Sequence, residues 1–179
     1  ARWRLTYEDL ISKWLPELKR IAPAVTVRHL LHHLGGLTDY SVLCGGGKPV
    51  RNSDLLSWLT NDGKAVFAPG ERYEYSNTVY AVLASVIERA SGRTYPEFMK
   101  DRIFRLAGME DTFVNLENDP SAPNLAFPYS VWPFFERVRT PEVLDCNTIY
   151  GDGSIYSTVD DMIRWHQGLD GSLFASPKA

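Results

Sequence analysis

Tyr75 and Asn77 stand two residues apart in the run Phe67-Ala68-Pro69-Gly70-Glu71-Arg72-Tyr73-Glu74-Tyr75-Ser76-Asn77-Thr78. Together they offer a titratable hydroxyl and a carboxamide that both donates and accepts hydrogen bonds. The run reads as a Pro-Gly turn, a short extended piece and a helix start. Two uses of the pair compete on residue type alone. Asparagine is a natural helix N-cap and a tyrosine ahead of a helix often packs in a core. The alternative is a phenol and a carboxamide held together at the lip of a concavity, with Asn77 near the start of the helix that carries Val82 and Val86.

Other chemistry-bearing residues fit their bland uses better. His29, His32 and His33 include a pair four residues apart, but no H-E-x-x-H pattern and no third ligand accompanies them, so no metal is expected. Gly45-Gly46-Gly47-Lys48 is followed by Pro49 where a phosphate loop needs Ser or Thr, and it reads as a flexible turn. No G-x-S-x-G elbow occurs, since Ser154 is followed by Ile155 and Tyr156; this disfavours an α/β-hydrolase.

The elements that must position Tyr75 and Asn77 are mostly helical. Thr6 with Glu8 and Asp9 predicts a short helix through Leu15, ended by Pro16. Thr26 caps a second through Leu34, before Gly35-Gly36, and Ser53 caps a third through Leu59. Ser76 or Asn77 opens a longer one carrying Val79, Val82, Leu83, Val86 and Ile87 inward, closed by Gly92. Thr94-Tyr95-Pro96-Glu97 is a capping box with proline in the first turn, opening a helix that runs to Gly108. Ser157 with Asp160 opens the last, and strand-like alternation is confined to the surroundings of Tyr73 and Ile155. Between Met109 and Tyr150, prolines at 120, 123, 128, 133 and 141 predict an irregular excursion with aromatics Phe127, Tyr129, Trp132, Phe134 and Phe135.

With 179 residues, 44% hydrophobic and 23% charged, one domain over 1–179 is the expectation. The net charge of -3, from 22 acidic and 19 basic residues with no basic run, argues against a nucleic-acid partner. No apolar stretch approaches the roughly 20 residues of a membrane span, and no signal segment opens the chain. Ala1 leads and the methionines lie at 99, 109 and 162, which predicts an internal portion of a longer polypeptide. Cys44 and Cys146 leave the redox compartment open, because spacing does not tell whether they meet.

F-x-P-G-E-x-x-x-Y-S-N resembles the Y-x-N box of the class C β-lactamase, D-alanyl-D-alanine carboxypeptidase and esterase family. Four further blocks follow the same order. Leu5–Leu18 is similar to L-x-x-D-x-x-x-x-Y-L-P, and Thr26–Leu37 to I-T-I-R-H-L-L-T-H-T-S-G-L. Ile103–Thr112 is similar to I-F-x-P-L-G-M-x-D-T, and Gly151–Leu169 to G-G-x-x-S-T-x-x-D-M-x-R-W-x-Q-x-L. The resemblance implies that the Tyr75 phenol relays a proton to and from a serine nucleophile, a hydroxyl that attacks only when a neighbour takes its proton. It implies that Asn77 helps to hold the acyl amide of the substrate and the catalytic lysine. His33 and Gly36 fall on the T-H-x-S-G turn and are expected to be structural; Gly35 stands where the family has serine.

The nucleophile in this family is the serine of S-x-x-K. The six lysines, at 13, 19, 48, 64, 100 and 178, are preceded at three residues by Leu10, Pro16, Gly45, Asn61, Glu97 and Ala175, so the motif is absent from these residues. His166-Gln167-Gly168 imitates the H-x-G alternative to K-T-G but falls inside a predicted helix. The implied fold class is mainly α: the helical portion of the β-lactamase/transpeptidase-like α+β fold, with most sheet strands missing. The implied function is acyl-enzyme hydrolysis of a β-lactam, D-Ala peptide or ester in the intact protein, without cofactor and with the chain inactive alone. Family members are often periplasmic or secreted. A helical face evolved to dock on a sheet predicts self-association. The competing reading is a non-catalytic helical binding or scaffold module derived from the same family.

Overall fold

A computed structural model describes residues 5–46, 48–116, 124–126, 130–131, 138–139, 145–171 and 173. The aromatics expected at Phe127, Tyr129, Trp132, Phe134 and Phe135 lie outside the described residues, as does part of the excursion around them. The helices are α1 (Val27–Leu31), α2 (Asn52–Asn61), α3 (Thr78–Ser91), α4 (Tyr95–Met99), α5 (Arg105–Ala107) and α6 (Val159–Asp170).

The centre is α3. Val79, Ala81, Val82, Leu83 and Val86 recur at helical spacing and are buried, and they pack with Leu30 of α1, Leu55 and Leu59 of α2, and Ile11, Leu15 and Leu18. Each fully buried aliphatic side chain of this kind contributes about 1.5–3 kcal/mol of transfer free energy. Gly92 ends α3 in the left-handed conformation, φ 67°, as a C-terminal glycine does. The Thr94 capping box is present in both halves: Thr94 Oγ1 accepts from Glu97 N–H and Glu97 Oε2 accepts from Thr94 N–H. From α4 the rod continues through one wider π-helical turn, Lys100–Phe104, into α5 and stops at Gly108, φ 70°.

The predicted helix from Thr6 to Leu15 does not form. Tyr7, Asp9 and Ile11 instead pair with the stretch 25–28: Arg28 N–H donates to Tyr7 O (2.8 Å), Val27 N–H to Asp9 O (3.0 Å) and Ile11 N–H to Val25 O (3.0 Å). Cross-chain partners outcompete intrahelical ones, and only two short 3-10 helices remain, Ile11–Lys13 and Pro16–Arg20. Thr26 does cap α1, but the helix ends at Leu31, short of the glycines. α2 begins one residue before Ser53, where the Asp54 carboxylate accepts the Arg51 N–H. α6 is capped by Thr158 rather than Ser157, its hydroxyl accepting from Asp161 N–H.

Among the described residues the strands are pairs of two. β1 (Phe113–Val114) lies antiparallel to β4 (Ile155–Tyr156), with Phe113 opposite Tyr156; β2 (Ser130–Val131) lies antiparallel to β3 (Val138–Arg139). The strand expected near Ile155 is therefore present, whereas Tyr73 belongs to no strand. The chain is the mainly α portion of an α+β fold. Val159, Met162, Ile163 and Leu169 on α6, with Leu106 on α5, leave large apolar side chains exposed, Val159 at 78%.

A disulfide joins Cys44 to Cys146 across 102 residues. It ties the 3-10 turn Tyr40–Leu43 to the 3-10 turn Asp145–Thr148. Beside it, buried Asn52 donates to Ala81 O (3.1 Å) and Tyr150 O (2.9 Å) and accepts from Tyr150 N–H (3.0 Å), fastening the same region to α2 and α3.

Candidate active site

The segment that carries Tyr75 and Asn77 is laced onto the turn after α1. Val66 N–H donates to Gly36 O (2.8 Å), Gly70 N–H to Leu34 O (2.9 Å) and Glu74 N–H to His33 O (3.1 Å). Gly36 has φ +67°, and a Cβ there would sit 2.3 Å from the Phe67 carbonyl oxygen, so only glycine allows the two strands of chain to approach. His33 also takes a positive φ, 57°, which aims its carbonyl at Glu74.

His33 does more than turn the chain. Its Nδ1 accepts the Ser76 N–H (3.3 Å), which leaves Nε2 as the protonated nitrogen of the neutral ring. The ring lies 4.6 Å from Tyr75, 5.2 Å from Tyr80 and 5.8 Å, edge-on, from Tyr73. Tyr75 therefore rests one face on an imidazole while 65% of the residue stays exposed. It is not a core tyrosine.

Asn77 occupies the N-cap position of α3, yet its side chain makes no capping hydrogen bond and its backbone is already helical, φ −70°, ψ −31°. The nearby acceptor is Asp39. Its Oδ2 receives Asn77 N–H (2.9 Å) and the Ser76 hydroxyl (3.1 Å), and its Oδ1 receives Ser41 N–H (2.9 Å). Burial pushes the Asp39 carboxyl up, but these donors from Ser41, Asn77 and Ser76 outweigh it and hold the group below the usual carboxylate value.

Behind Asp39, the Tyr40 phenol donates to Asp152 Oδ2 at 2.5 Å. Burial first, then the hydrogen bond and charge of Asp152, raise the Tyr40 phenol well above its ordinary range, and burial also raises Asp152. Asp39 and Tyr75 lie close enough to add to the effect on Tyr40. Tyr40 is thus a fixed, neutral donor that locks the turn bearing Asp39 to the Gly151–Gly153 turn.

The family resemblance singled out Tyr75, Asn77, His33 and Gly36, and all four meet in this one region, His33 and Gly36 shaping the backbone. It missed Asp39, Tyr40 and Asp152. The available signals were an Asp placed as an N-cap ahead of Tyr40 and an Asp between two glycines. Three cavities, of about 740, 490 and 310 Å³, are lined by other residues, the first by Lys100, Phe104, Thr112, Phe113 and Tyr156. Among the described residues no cluster of three His, Cys, Asp or Glu is arranged to hold a metal, and no helix is long and apolar enough to cross a membrane.

The backbone matches that of a penicillin binding protein from Bacillus halodurans with a TM-score of 0.76 at 26% identity, over 94% of this chain and 52% of that one. It matches D-amino acid amidase from Ochrobactrum anthropi SV3 with a TM-score of 0.77 at 24% identity, over 94% and 49%, a likeness of fold alone. The fold is that of the helical portion of a penicillin-binding-protein-like structure. In sequence the chain is 36% identical over 179 residues to penicillin-binding protein 4* of Bacillus subtilis, and 32% identical over 174 residues to D-aminopeptidase of Brucella anthropi. The Beta-lactamase family profile matches residues 1–179, and the chain belongs to that family of serine hydrolases. It covers 92% and 91% of its own length in the two sequence matches but only 39% and 31% of the relatives' length.

Proposed function

We propose that this chain carries the tyrosine and asparagine limb of an acyl-transfer active site. Tyr75 relays a proton to and from a serine nucleophile, and Asn77 holds the acyl amide of the substrate. Serine and lysine of an S-x-x-K motif are not among these 179 residues, so the reading requires them from polypeptide outside it. The substrates are compounds with a polarised carbonyl: a β-lactam, a D-alanyl peptide or a small ester. No cofactor is needed for this chemistry.

The observation that carries the reading is that neither residue is spent on the bland role open to it. The Asn77 carboxamide makes no cap and Tyr75 stays 65% exposed beside an imidazole. The disulfide supports an oxidising compartment, periplasmic or secreted, in keeping with the chemistry of such bonds. The exposed apolar face of α6 supports contact with a further surface, in a longer chain or in a second copy.

The test is acylation by a labelled penicillin, read by intact mass, together with turnover of a chromogenic cephalosporin, a D-alanyl peptide and an ester. A polypeptide extended to include an S-x-x-K serine is expected to react, and Tyr75→Phe to lower its kcat by about 10²–10⁴-fold as proton transfer fails. The 179 residues alone are expected to give no adduct. Full activity of Tyr75→Phe would remove the proposed role, and an adduct on the isolated chain would remove the need for an outside nucleophile.

A further inference from the structure

Helix α3 begins with backbone N–H groups that have no partner inside the helix, and an asparagine at the N-cap ordinarily turns its own side chain back to accept one of them. Asn77 does not. The Asn77 N–H itself, and the hydroxyl of Ser76 before it, are taken by a carboxylate 38 and 37 residues earlier in the chain. The same carboxylate accepts Ser41 N–H at the start of the Tyr40–Leu43 turn, so it is pinned from two sides. A negative charge beside the start of α3 is also favoured by the helix dipole.

We propose that Asp39 is a positioning residue for Asn77: as a surrogate anchor for the start of α3, it fixes the Ser76-Asn77 backbone and leaves the Asn77 carboxamide to face substrate. The inference rests on the acyl-transfer reading of Asn77. Three features make the anchor rigid. Tyr40, next in sequence, is bonded to Asp152; Cys44, at the end of the same turn, is bonded to Cys146; and Ser76 N–H is held independently by His33. A carboxylate on a loose loop would not hold a helix start; this one is tied to two other parts of the fold. Without Asp39, the Asn77 side chain folds back onto its own helix, as an ordinary N-cap does, and is lost to substrate.

Two double-mutant cycles between Asp39 and Asn77 test the idea, one with substrate and one without. In the polypeptide that includes the S-x-x-K serine, Asp39→Ala is expected to lower kcat/KM for the best of the three substrates by about 100-fold, the scale of a misplaced polar group. Asn77→Ala gives a comparable loss, and the double variant is no worse than Asn77→Ala alone. Asp39→Asn, which keeps an acceptor oxygen, recovers most of the activity. Losses that multiply in the double variant, or an Asp39→Ala enzyme with unchanged kcat/KM, would overturn the proposal.

The second cycle reads thermal unfolding and needs no activity. Asn77→Ala leaves the midpoint in place when Asp39 is present, and lowers it in the Asp39→Ala background, where Asn77 has become the cap. Equal effects in both backgrounds would overturn the surrogate role. Should Asp39→Ala fail to fold, Asp39→Asn with Ser76→Ala supplies the weakened background. A wild-type polypeptide that hydrolyses nothing while the unfolding cycle behaves as expected would sink the acyl-transfer reading and leave the anchor standing.

Discussion

Reducing the Cys44–Cys146 disulfide should lower the melting temperature by about 6–12 °C. The two cysteines lie 102 residues apart, and closing a loop of about 100 residues withdraws chain entropy worth about 4.7 kcal/mol from the unfolded ensemble. Native disulfides commonly return about 2–4 kcal/mol of such a figure, because the unfolded chain is never a free coil. At about 3 kcal/mol, with about 2–4 °C per kcal/mol for a chain of this size, the shift follows. Circular dichroism melts with and without a phosphine reductant measure it, and the double variant C44S/C146S should melt with the reduced protein. The loss should concentrate where the bridge acts, so amide exchange at Tyr150 N–H, held by Asn52, should quicken on reduction. Oxidised and reduced protein melting within a degree of each other, with reduction verified by mass, would refute the reasoning. So would free thiols in the native, untreated protein.

Gly36→Ala should cost at least about 2 kcal/mol by urea denaturation, since a left-handed alanine costs about 1–2 kcal/mol and its Cβ meets a backbone oxygen at 2.3 Å. Asn52→Ala should cost about 3 kcal/mol, leaving the Tyr150 N–H without its acceptor in a buried setting, and Asn52→Asp should cost more by burying a charge in place of a donor. Asp39 and Asp161 both have folded pKa values held below 3.8, so their contribution is complete above that value and is lost as pH falls through the folded values; Asp152, raised by burial, acts in the opposite sense. The acid slope of stability below pH 4 should therefore flatten in Asp39→Asn, measured by denaturation at stepped pH. Light scattering over a dilution series should detect association through the α6 face, because covering about 800 Å² of apolar surface offers up to some 20 kcal/mol before the costs of association; a compact monomer at high micromolar concentration would count against it.

The helices were legible where their ends carry chemistry of their own. Thr94 with Glu97, Gly92, Gly108 and Thr26 act on residues three or four positions away, and sequence spacing reads such local bonds directly. The first helix was not, because Tyr7–Ile11 have partners at 25–28 that no local pattern encodes. The site divides in the same way. Tyr75 and Asn77 were visible as a motif, and His33 and Gly36 as a turn. Asp39 reaches Asn77 across 38 residues and Tyr40 reaches Asp152 across 112, so these links exist only after folding has brought them together.

β1 and β4 place Asn115 against Ser154, the Asn115 N–H donating to Ser154 O at 2.8 Å, and the disulfide holds Cys146 to Cys44. Asn115 and Cys146 are therefore two anchored points of the chain. Loop-closure entropy grows only slowly with length, by about 0.6 kcal/mol for each doubling. For any length of chain that joins two fixed points, length is therefore a weak lever on the folding equilibrium. For protein engineering, that makes the sequence between 116 and 146 a place to vary length, with α3 and the Asp39 hydrogen bonds held by contacts elsewhere in the chain.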